Sequence, residues 1–420
     1  MRPGPSSAGR GLRPLGSPHW RRAAFAASPA FGGRRAVTER RVPLIWGALA
    51  AVAVLLALPA AAQQGEVVRS ERARFRLSTF ASGFDRPWGA ALLPDGRLLV
   101  TERPGRLRVV GTDGAVSAPL SGVPSVEAQG QGGLLDVALA PDFATTREVF
   151  LCHSALVPRG ALTRLTRARL APDLGGLEAA EPVLDAAPPQ FRGRNHFGCR
   201  IALDREGHVF LSTGDRYITK TRAQALDDLA GKVLRVTGDG RVPPDNPFVR
   251  REGARPEIWS FGHRNPQGLA FNPWTGSLWE AEFGALGGDE INVIQPGRNY
   301  GWPIVSYGTD YDGSPIGTGR QSAPGIEEPI HHWTPSVSPS GIAFYDASAF
   351  PAWRGSLFVA ALNPPGLVRL TTEGERVTAE ERLLFDRRIR MRDVVVARDG
   401  GLLVLTDEAR GRILRLSPAE

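Results

Sequence analysis

One pattern, met six times, limits what this chain can fold into: a short apolar strand, a turn containing Gly or Asp, then a second apolar strand. It occurs as "WGAALLPDGRLLVTE" from Trp88, "GLLDVALAPDFATTREVFLCH" from Gly133 and "CRIALDREGHVFLSTGD" from Cys199. It returns as "GLAFNPWTGSLWEAEFG" from Gly268, "GIAFYDASAFPAWRGSLFVAAL" from Gly341 and "MRDVVVARDGGLLVLTDE" from Met391. Gly96, Gly207, Gly276, Gly355 and Gly400 mark five of the turns, and Asp142–Arg147 marks the other. Each copy predicts two antiparallel strands joined by a hairpin. Six such copies, spaced by about 60 residues, predict an all-β fold, a six-bladed β-propeller whose blades bury both faces against their neighbours. "RFRLSTFASGF" (Arg74–Phe84) and "GRILRLSP" (Gly411–Pro418) are expected to close the ring together. Helical periodicity is nearly absent. "QALDDLAGKVLR" (Gln224–Arg235) is the best short-helix candidate, and it lies in an insertion.

The 49 glycines and 35 prolines agree with a turn-rich chain of short strands. The formal net charge of +8 is unevenly placed: residues 1–62 carry nine arginines and one glutamate. The remainder holds 42 basic and 42 acidic residues, so no basic body exists to meet a phosphate backbone, and nucleic acid is not an expected partner. The leader has its own shape. Arg40 and Arg41 precede an apolar run from Leu44 to Leu58, and Ala60–Ala62 offer a small-residue cleavage site. A signal peptide cut near Ala62 is expected, which makes the protein periplasmic or secreted. Uncleaved, the stretch from Val42 to Gly65 would be a membrane anchor. Residues 1–36 read as unstructured, with a true start expected near Val37. The domain division is then a leader over 1–62, a linker over 63–74 and the propeller over 75–420. Cys152 and Cys199 stand 47 residues apart, which rules out CxxC metal and CxxCH haem sites. Export permits one disulfide, and two buried thiols fit the sequence equally.

In every copy, the residues just before the first strand fall at the same end of the propeller, near its axis. Those segments supply Gln131, His196, Arg264, Asn265, Gln267, Ser336, Arg390 and Arg392. One axial mouth with three arginines, a histidine and several amides is an anion pocket with a candidate general base. Singly, each of these residues reads as a solvated loop group. Their shared topological position is what argues for a site.

Four stretches carry a resemblance: "GKVLRVTGDGRVPPDNPF", "IWSFGHRNPQGLAFNP", "GGDEINVIQPGRNYGWP" and "MRDVVVARDGGLLVLTD". Over about residues 75–417 the chain resembles the soluble aldose sugar dehydrogenases that use pyrroloquinoline quinone (PQQ), a family that includes soluble glucose and sorbosone dehydrogenases. The resemblance implies hydride transfer from a sugar's anomeric carbon to PQQ, with calcium polarising the quinone. It assigns His196 in "NHFG" as the base, Gln131 as its neighbour beside cofactor and substrate, and Arg264 and Asn265 as contacts to the quinone. Arg390 and Arg392 match the pair that holds the cofactor's carboxylates, with Gln267, Ser336 and Asn363 as further cofactor contacts. The backbone carbonyls of Gly284 and Ala285 match the calcium site beside the cofactor. A second, structural calcium maps to Glu290, the carbonyls of Tyr300 and Ser306, and Asp310. A hard cation of this size takes six to eight oxygens.

The chain also departs from the family. Asn363 stands where relatives carry a cofactor-contacting lysine, and Asn195 stands before the base where the glucose-specific branch has an aspartate. Asn195 is expected to orient the imidazole. Ala285 replaces a common proline, and Cys199 a common glycine. His263 is expected to pack locally. His331 and His332 are candidates to touch substrate, and Trp302 and Trp333 to stack on a sugar face. With no haem motif, electrons must leave to a separate acceptor, a quinone or a cytochrome. The competing readings are a non-catalytic binding propeller, favoured by the Asn363 departure, and a calcium-dependent hydrolase, whose carboxylate cage is not evident. No dinucleotide fingerprint follows a strand and opens a helix.

Overall fold

The computed structural model describes residues 65–419, so the expected leader and its cleavage site lie outside the described residues. Six antiparallel sheets follow one another along the chain. Blade 1 has three strands, Pro87–Leu92, Leu98–Glu102 and Arg106–Val110. Blades 2 to 5 have four each, beginning at Leu134, Ile201, Pro266 and Pro339. Blade 6 runs from Met391–Val396 through Leu402–Thr406 and Gly411–Pro418, and then takes its next strand from the other end of the chain. That strand is Arg74–Phe84, paired antiparallel with Gly411–Pro418 from Phe75↔Pro418 to Phe84↔Gly411. The ring is closed by the two segments expected to do so. Glu66–Arg69, expected as linker, adds an outermost strand against Arg74–Leu77.

The second strands explain why the chain adopts this form. Leu98–Glu102, Val209–Thr213, Leu278–Glu282, Ser356–Leu362 and Leu402–Thr406 are buried along their whole length. A strand covered on both faces reads as an uninterrupted apolar run rather than an alternating one. The hairpin turns hold their glycines at positive φ, from 76° at Gly276 to 91° at Gly96, where a side chain would be strained. Between blades 5 and 6 the packing is aromatic: Trp353 is fully buried, stacked on Phe350 at 4.1 Å and edged by Phe358 at 5.2 Å.

The short-helix candidate Gln224–Arg235 is not a helix. A 3-10 turn covers Lys220–Gln224, Ala225 is extended, and Lys232–Val236 is a buried strand of blade 3. Gly231 at φ 68° breaks the segment. The fully buried Lys232 ties it down by donating to the carbonyls of Arg222, Ala223 and Ala230 at 2.7–3.1 Å. Cys152 and Cys199 form a disulfide with Cα atoms 5.5 Å apart, joining the second strand of blade 2 to the segment that enters blade 3.

Register fixes where function sits. The start of the first strand pairs at or next to the end of the second in blades 1, 4, 5 and 6, as Pro87↔Glu102, Pro266↔Glu282, Pro339↔Ala361 and Met391↔Thr406, while in blade 2 Leu134 meets His153 and the second strand runs on to Val157. Blade 3 matches the four, with the Cys199 N–H donating to Ser212. Two sets of residues therefore meet at one end of the ring, those entering first strands and those leaving second strands.

Candidate functional site

An axial cavity of about 260 Å³ opens at that end, and all six blades contribute to its wall. Blade 1 gives Trp88 and Arg103, blade 2 Gln131 and blade 3 His196. Blade 4 gives Arg264, Gln267, Phe283, Gly284, Ala285 and Tyr311. Blade 5 gives Ser338 and Leu362, and blade 6 Arg390, Arg392 and Asp407.

His196 is held from several sides. Its Nδ1 lies 2.7 Å from Oδ1 of Asp215, and its backbone N–H donates to Oε1 of Gln131 at 2.8 Å. A carboxylate only accepts, so Nδ1 carries the proton and Nε2 is the nitrogen left for a ligand in the cavity. Asp215 Oδ2 accepts from Trp302 Nε1 at 2.7 Å, and Oδ1 also accepts from the Tyr217 N–H at 2.7 Å. Burial lowers the pKa of His196, against the hydrogen bond and charge of Asp215 that raise it. Burial acts to raise Asp215, but the bond and charge of His196, with Arg264, leave it below the usual carboxylate range. The pair is thus a neutral imidazole on an ionised carboxylate. His196 lies in the left-handed region at φ 49°, a conformation that the surrounding structure must over-determine. Gly214 makes the approach possible, because a Cβ there would lie 2.3 Å from the His196 carbonyl oxygen.

Three arginines line the cavity, Arg390 and Arg392 from blade 6 and Arg264 from blade 4 beside the His196–Asp215 pair. Asp407 pairs with Arg390 at 2.7 Å and Arg392 at 3.2 Å, and Arg392 also donates to Oε1 of Gln267 at 2.6 Å. Burial acts to raise Asp407, but the two guanidiniums hold its carboxyl far below the usual range. The Trp88 ring lies under Arg392 and Arg200, 5.6 and 4.3 Å from their guanidinium carbons. Arg264 donates to the Phe283 carbonyl and to the Tyr311 hydroxyl, both at 3.2 Å. Buried donors remain unpaired: Nε of Arg264, Nε of Arg392 and Nδ2 of Asn265. Orphaned donors of this kind, two of them guanidinium groups on the cavity wall, fit a ligand rich in carboxylate and carbonyl oxygens.

Beside the cavity is an ion-sized void of about 10 Å³, lined by Glu282, Glu290, Tyr300 and Ser306 among others. Asn292 Nδ2 reaches Glu280, Glu282 and Glu290 at 3.0, 3.5 and 3.2 Å. Burial, and then the charge of Glu282, push Glu280 and Glu290 well above the ordinary range, and Oε1 of Glu280 has no partner. Two buried carboxylates, Glu280 and Glu282, with the half-buried Glu290 and no guanidinium on any of them, fit a hard cation.

The structure departs from several sequence expectations. Asn363 is exposed and absent from the cavity wall, where its neighbour Leu362 stands instead, because the strand turns outward after Leu362. Asp310 pairs with Lys220 at 2.8 Å and does not line the void that Glu290 lines. Ser336 accepts from the Gly287 N–H at 3.0 Å, bracing the turn that presents Gly284 and Ala285, while Ser338 reaches the cavity. Asn265 lies behind the wall, its Oδ1 accepting from the Gly198 N–H at 3.1 Å. Asn195 does not orient His196. Its carbonyl accepts from Arg216, and Asp215 orients the ring. His331 pairs with Glu380, and His332 stacks on Tyr307 at 4.0 Å, both off the cavity wall. Trp333 and Trp302 are buried with their N–H groups bonded to carboxylates, so neither offers an open face. Tyr217 and Tyr311 are exposed at this end, their rings 6.4 Å apart. His263 packs locally, bonded to Ser260 and stacked on Tyr300. The sequence reading missed Arg103, Asp215, Leu362 and Asp407. All four end or follow a second strand, so the antiparallel pairing it used for first strands could have found them.

A six-bladed propeller with a histidine–aspartate pair and an arginine-lined cavity at one axial mouth, and a carboxylate cluster beside it, defines a class of ligand-binding or redox protein. Comparison with known proteins narrows it. Residues 84–415 match the family described as Glucose / Sorbosone dehydrogenase, and the chain belongs to that family. Aldose sugar dehydrogenase YliI of Escherichia coli K12 is 45% identical over 337 residues, 80% of this chain and 90% of that protein. The apo crystal structure of the soluble aldose sugar dehydrogenase of Escherichia coli superposes with a TM-score of 0.80 at 43% identity, covering 82% of this chain and all of that one. The PQQ-bound aldose sugar dehydrogenase of Streptomyces coelicolor gives 0.69 at 30% identity, covering 85% and 99%.

Proposed function

We propose that this protein oxidises aldose sugars at the anomeric carbon to lactones, with His196 as general base, PQQ as hydride acceptor and calcium as Lewis acid. Family membership makes it a PQQ-dependent sugar dehydrogenase. The observation that carries the mechanism is His196 on the cavity wall, bonded at 2.7 Å to Asp215 behind it. When bound, PQQ supplies an electrophilic quinone that takes the hydride. The chain's residues do the rest. Nε2 of His196 removes the proton from the oxygen of the anomeric hydroxyl, while the carbon's own hydrogen leaves as hydride, and Asp215 stabilises the imidazolium that results. Arg264, on the cavity wall with an unpaired Nε, would stabilise negative charge on a bound cofactor. Arg390 and Arg392, held in register by Asp407, present their remaining donors to the cofactor carboxylates. The carbonyls of Gly284 and Ala285 would hold a calcium beside the cofactor, and Glu290 with the carbonyls of Tyr300 and Ser306 would hold a structural one.

Asn363 lies outside the wall and supplies no cation there, so the reading rests on Arg264, Arg390 and Arg392 as the positive charges for the cofactor. The disulfide supports export to an oxidising compartment, where electrons pass to a separate quinone or cytochrome acceptor. The test is reconstitution of the purified protein with PQQ and calcium, followed by a sugar screen. Aldose-dependent dye reduction that needs both additions is expected. No PQQ binding in a titration, together with no dye reduction, refutes the reading.

A further inference from the structure

Trp302 belongs to blade 4, in the connection between the strands Asp289–Ile294 and His331–Trp333, yet its indole reaches the base of blade 3. Both oxygens of the buried Asp215 carboxylate are bonded. Oδ1 faces His196 Nδ1 and the Tyr217 N–H, and Oδ2 accepts from Trp302 Nε1 at 2.7 Å. Without the indole, Oδ2 has no hydrogen-bond donor among the described residues, and the carboxylate loses what stops it turning about its own axis. Trp302 is itself fixed at both backbone groups. Its N–H donates to the Gly262 carbonyl at 2.9 Å, and its carbonyl accepts from Gln224 at 2.7 Å. Gln224 is locked in turn by a reciprocal amide pair with Asn299, both bonds 2.9 Å. The indole ring does a second thing, for the Arg264 guanidinium carbon lies 5.1 Å from its centroid. Indole suits this double duty, since its nitrogen only donates and its ring is the best aromatic partner for a cation.

We propose that Trp302 is a positioning residue for proton transfer, its indole N–H fixing the Asp215 carboxylate that orients His196 while its ring holds the Arg264 guanidinium. The inference rests on the reading of His196 as base. The charged groups that face the His196–Asp215 pair are Arg264 from blade 4 and Arg216 from the segment after Asp215. Loss of the indole donor makes the carboxylate more basic, which tightens its hold on the imidazolium and raises the His196 midpoint.

The experiment compares Trp302→Phe with Trp302→Leu. The His196 imidazole is followed by NMR titration in the apo protein, with His196→Ala identifying the signal. The PQQ dissociation constant and the pH profile of kcat/KM are measured alongside. The Phe variant is expected to raise the midpoint by about half a unit, move the acid limb of kcat/KM the same way, and keep PQQ affinity within about threefold because a ring still faces Arg264. The Leu variant is expected to show the same shift and, in addition, a severalfold loss of PQQ affinity. A Phe variant whose midpoint matches the wild type overturns the inference. With His196 essential and the midpoint unmoved, this inference falls and the base reading stands. With the midpoint moved and His196 dispensable, the base reading falls and the positioning stands. If neither variant folds, the wild-type protein decides. One indole proton must shift as His196 titrates, and an indole region unchanged through that midpoint overturns the proposal.

Discussion

Asp215→Asn separates the role of the carboxylate from the shape of the site. The side chain is nearly isosteric and lies behind the cavity wall, so the space offered to a cofactor stays the same. What changes is charge and tautomer. At an effective dielectric of about 20, a carboxylate about 4 Å from an imidazolium stabilises it by about 4 kcal/mol. That stabilisation is present only after His196 has taken the proton, so it belongs to the transition state and corresponds to about a thousandfold in kcat. The direction with pH follows as well. Burial, Arg264 and Arg216 all lower the His196 pKa, and Asp215 opposes them. In the variant that opposition is gone, the imidazole is neutral to still lower pH, and raising the pH cannot restore the rate. The assay is stopped-flow reduction of bound cofactor by sugar, with PQQ affinity measured separately. A kcat within tenfold of wild type at unchanged PQQ affinity refutes the reasoning.

Three other outcomes follow. Asn363→Ala is expected to leave PQQ affinity within about twofold, since the side chain is exposed outside the wall; a tenfold loss in a titration would restore it to the site. In EDTA, thermal stability should fall as pH rises from about 4.5, the unfolded glutamate value. Glu280 and Glu290 have folded pKa values raised well above that, so the folded state binds more protons through the window and loses stability as they ionise. Added calcium should recover more melting temperature at pH 8 than at pH 5, and an equal gain at both would contradict a cation held by these carboxylates. Cys152→Ser with Cys199→Ser should destabilise by about 4 kcal/mol in chemical denaturation, the loop-closure value for the intervening segment; an unchanged midpoint would show that the crosslink constrains nothing.

The ring was legible because a strand–turn–strand pattern repeated six times leaves few alternatives, and because Arg74–Phe84 and Gly411–Pro418 read as strands at its two ends. Half of the mouth was legible for the same reason: residues before the first strands share a position whatever the loops do. The other half was equally determined by the pairing but was not read, and it holds Asp215, which sets the tautomer, and Asp407, which aligns two arginines. Contacts made by long insertions were beyond reach. Trp302 reaches from blade 4 to Asp215, 87 residues away in sequence, and no local pattern encodes that meeting. Lys220 claims Asp310 across 90 residues in the same way. Gln224–Arg235 misled because its apolar spacing fits a helix, whereas a glycine at positive φ and a place in blade 3 decided for a strand.

The central claim is that His196 moves the proton while other residues hold the cofactor. A single-turnover experiment tests it most directly: PQQ-loaded wild type and His196→Ala are mixed with an aldose in the absence of any acceptor, and the cofactor absorbance is followed. The account predicts rapid cofactor reduction in the wild type and, in the variant, PQQ affinity within a few-fold but reduction slowed by about 10²- to 10⁴-fold. Reduction at the wild-type rate in the His196→Ala protein would contradict it.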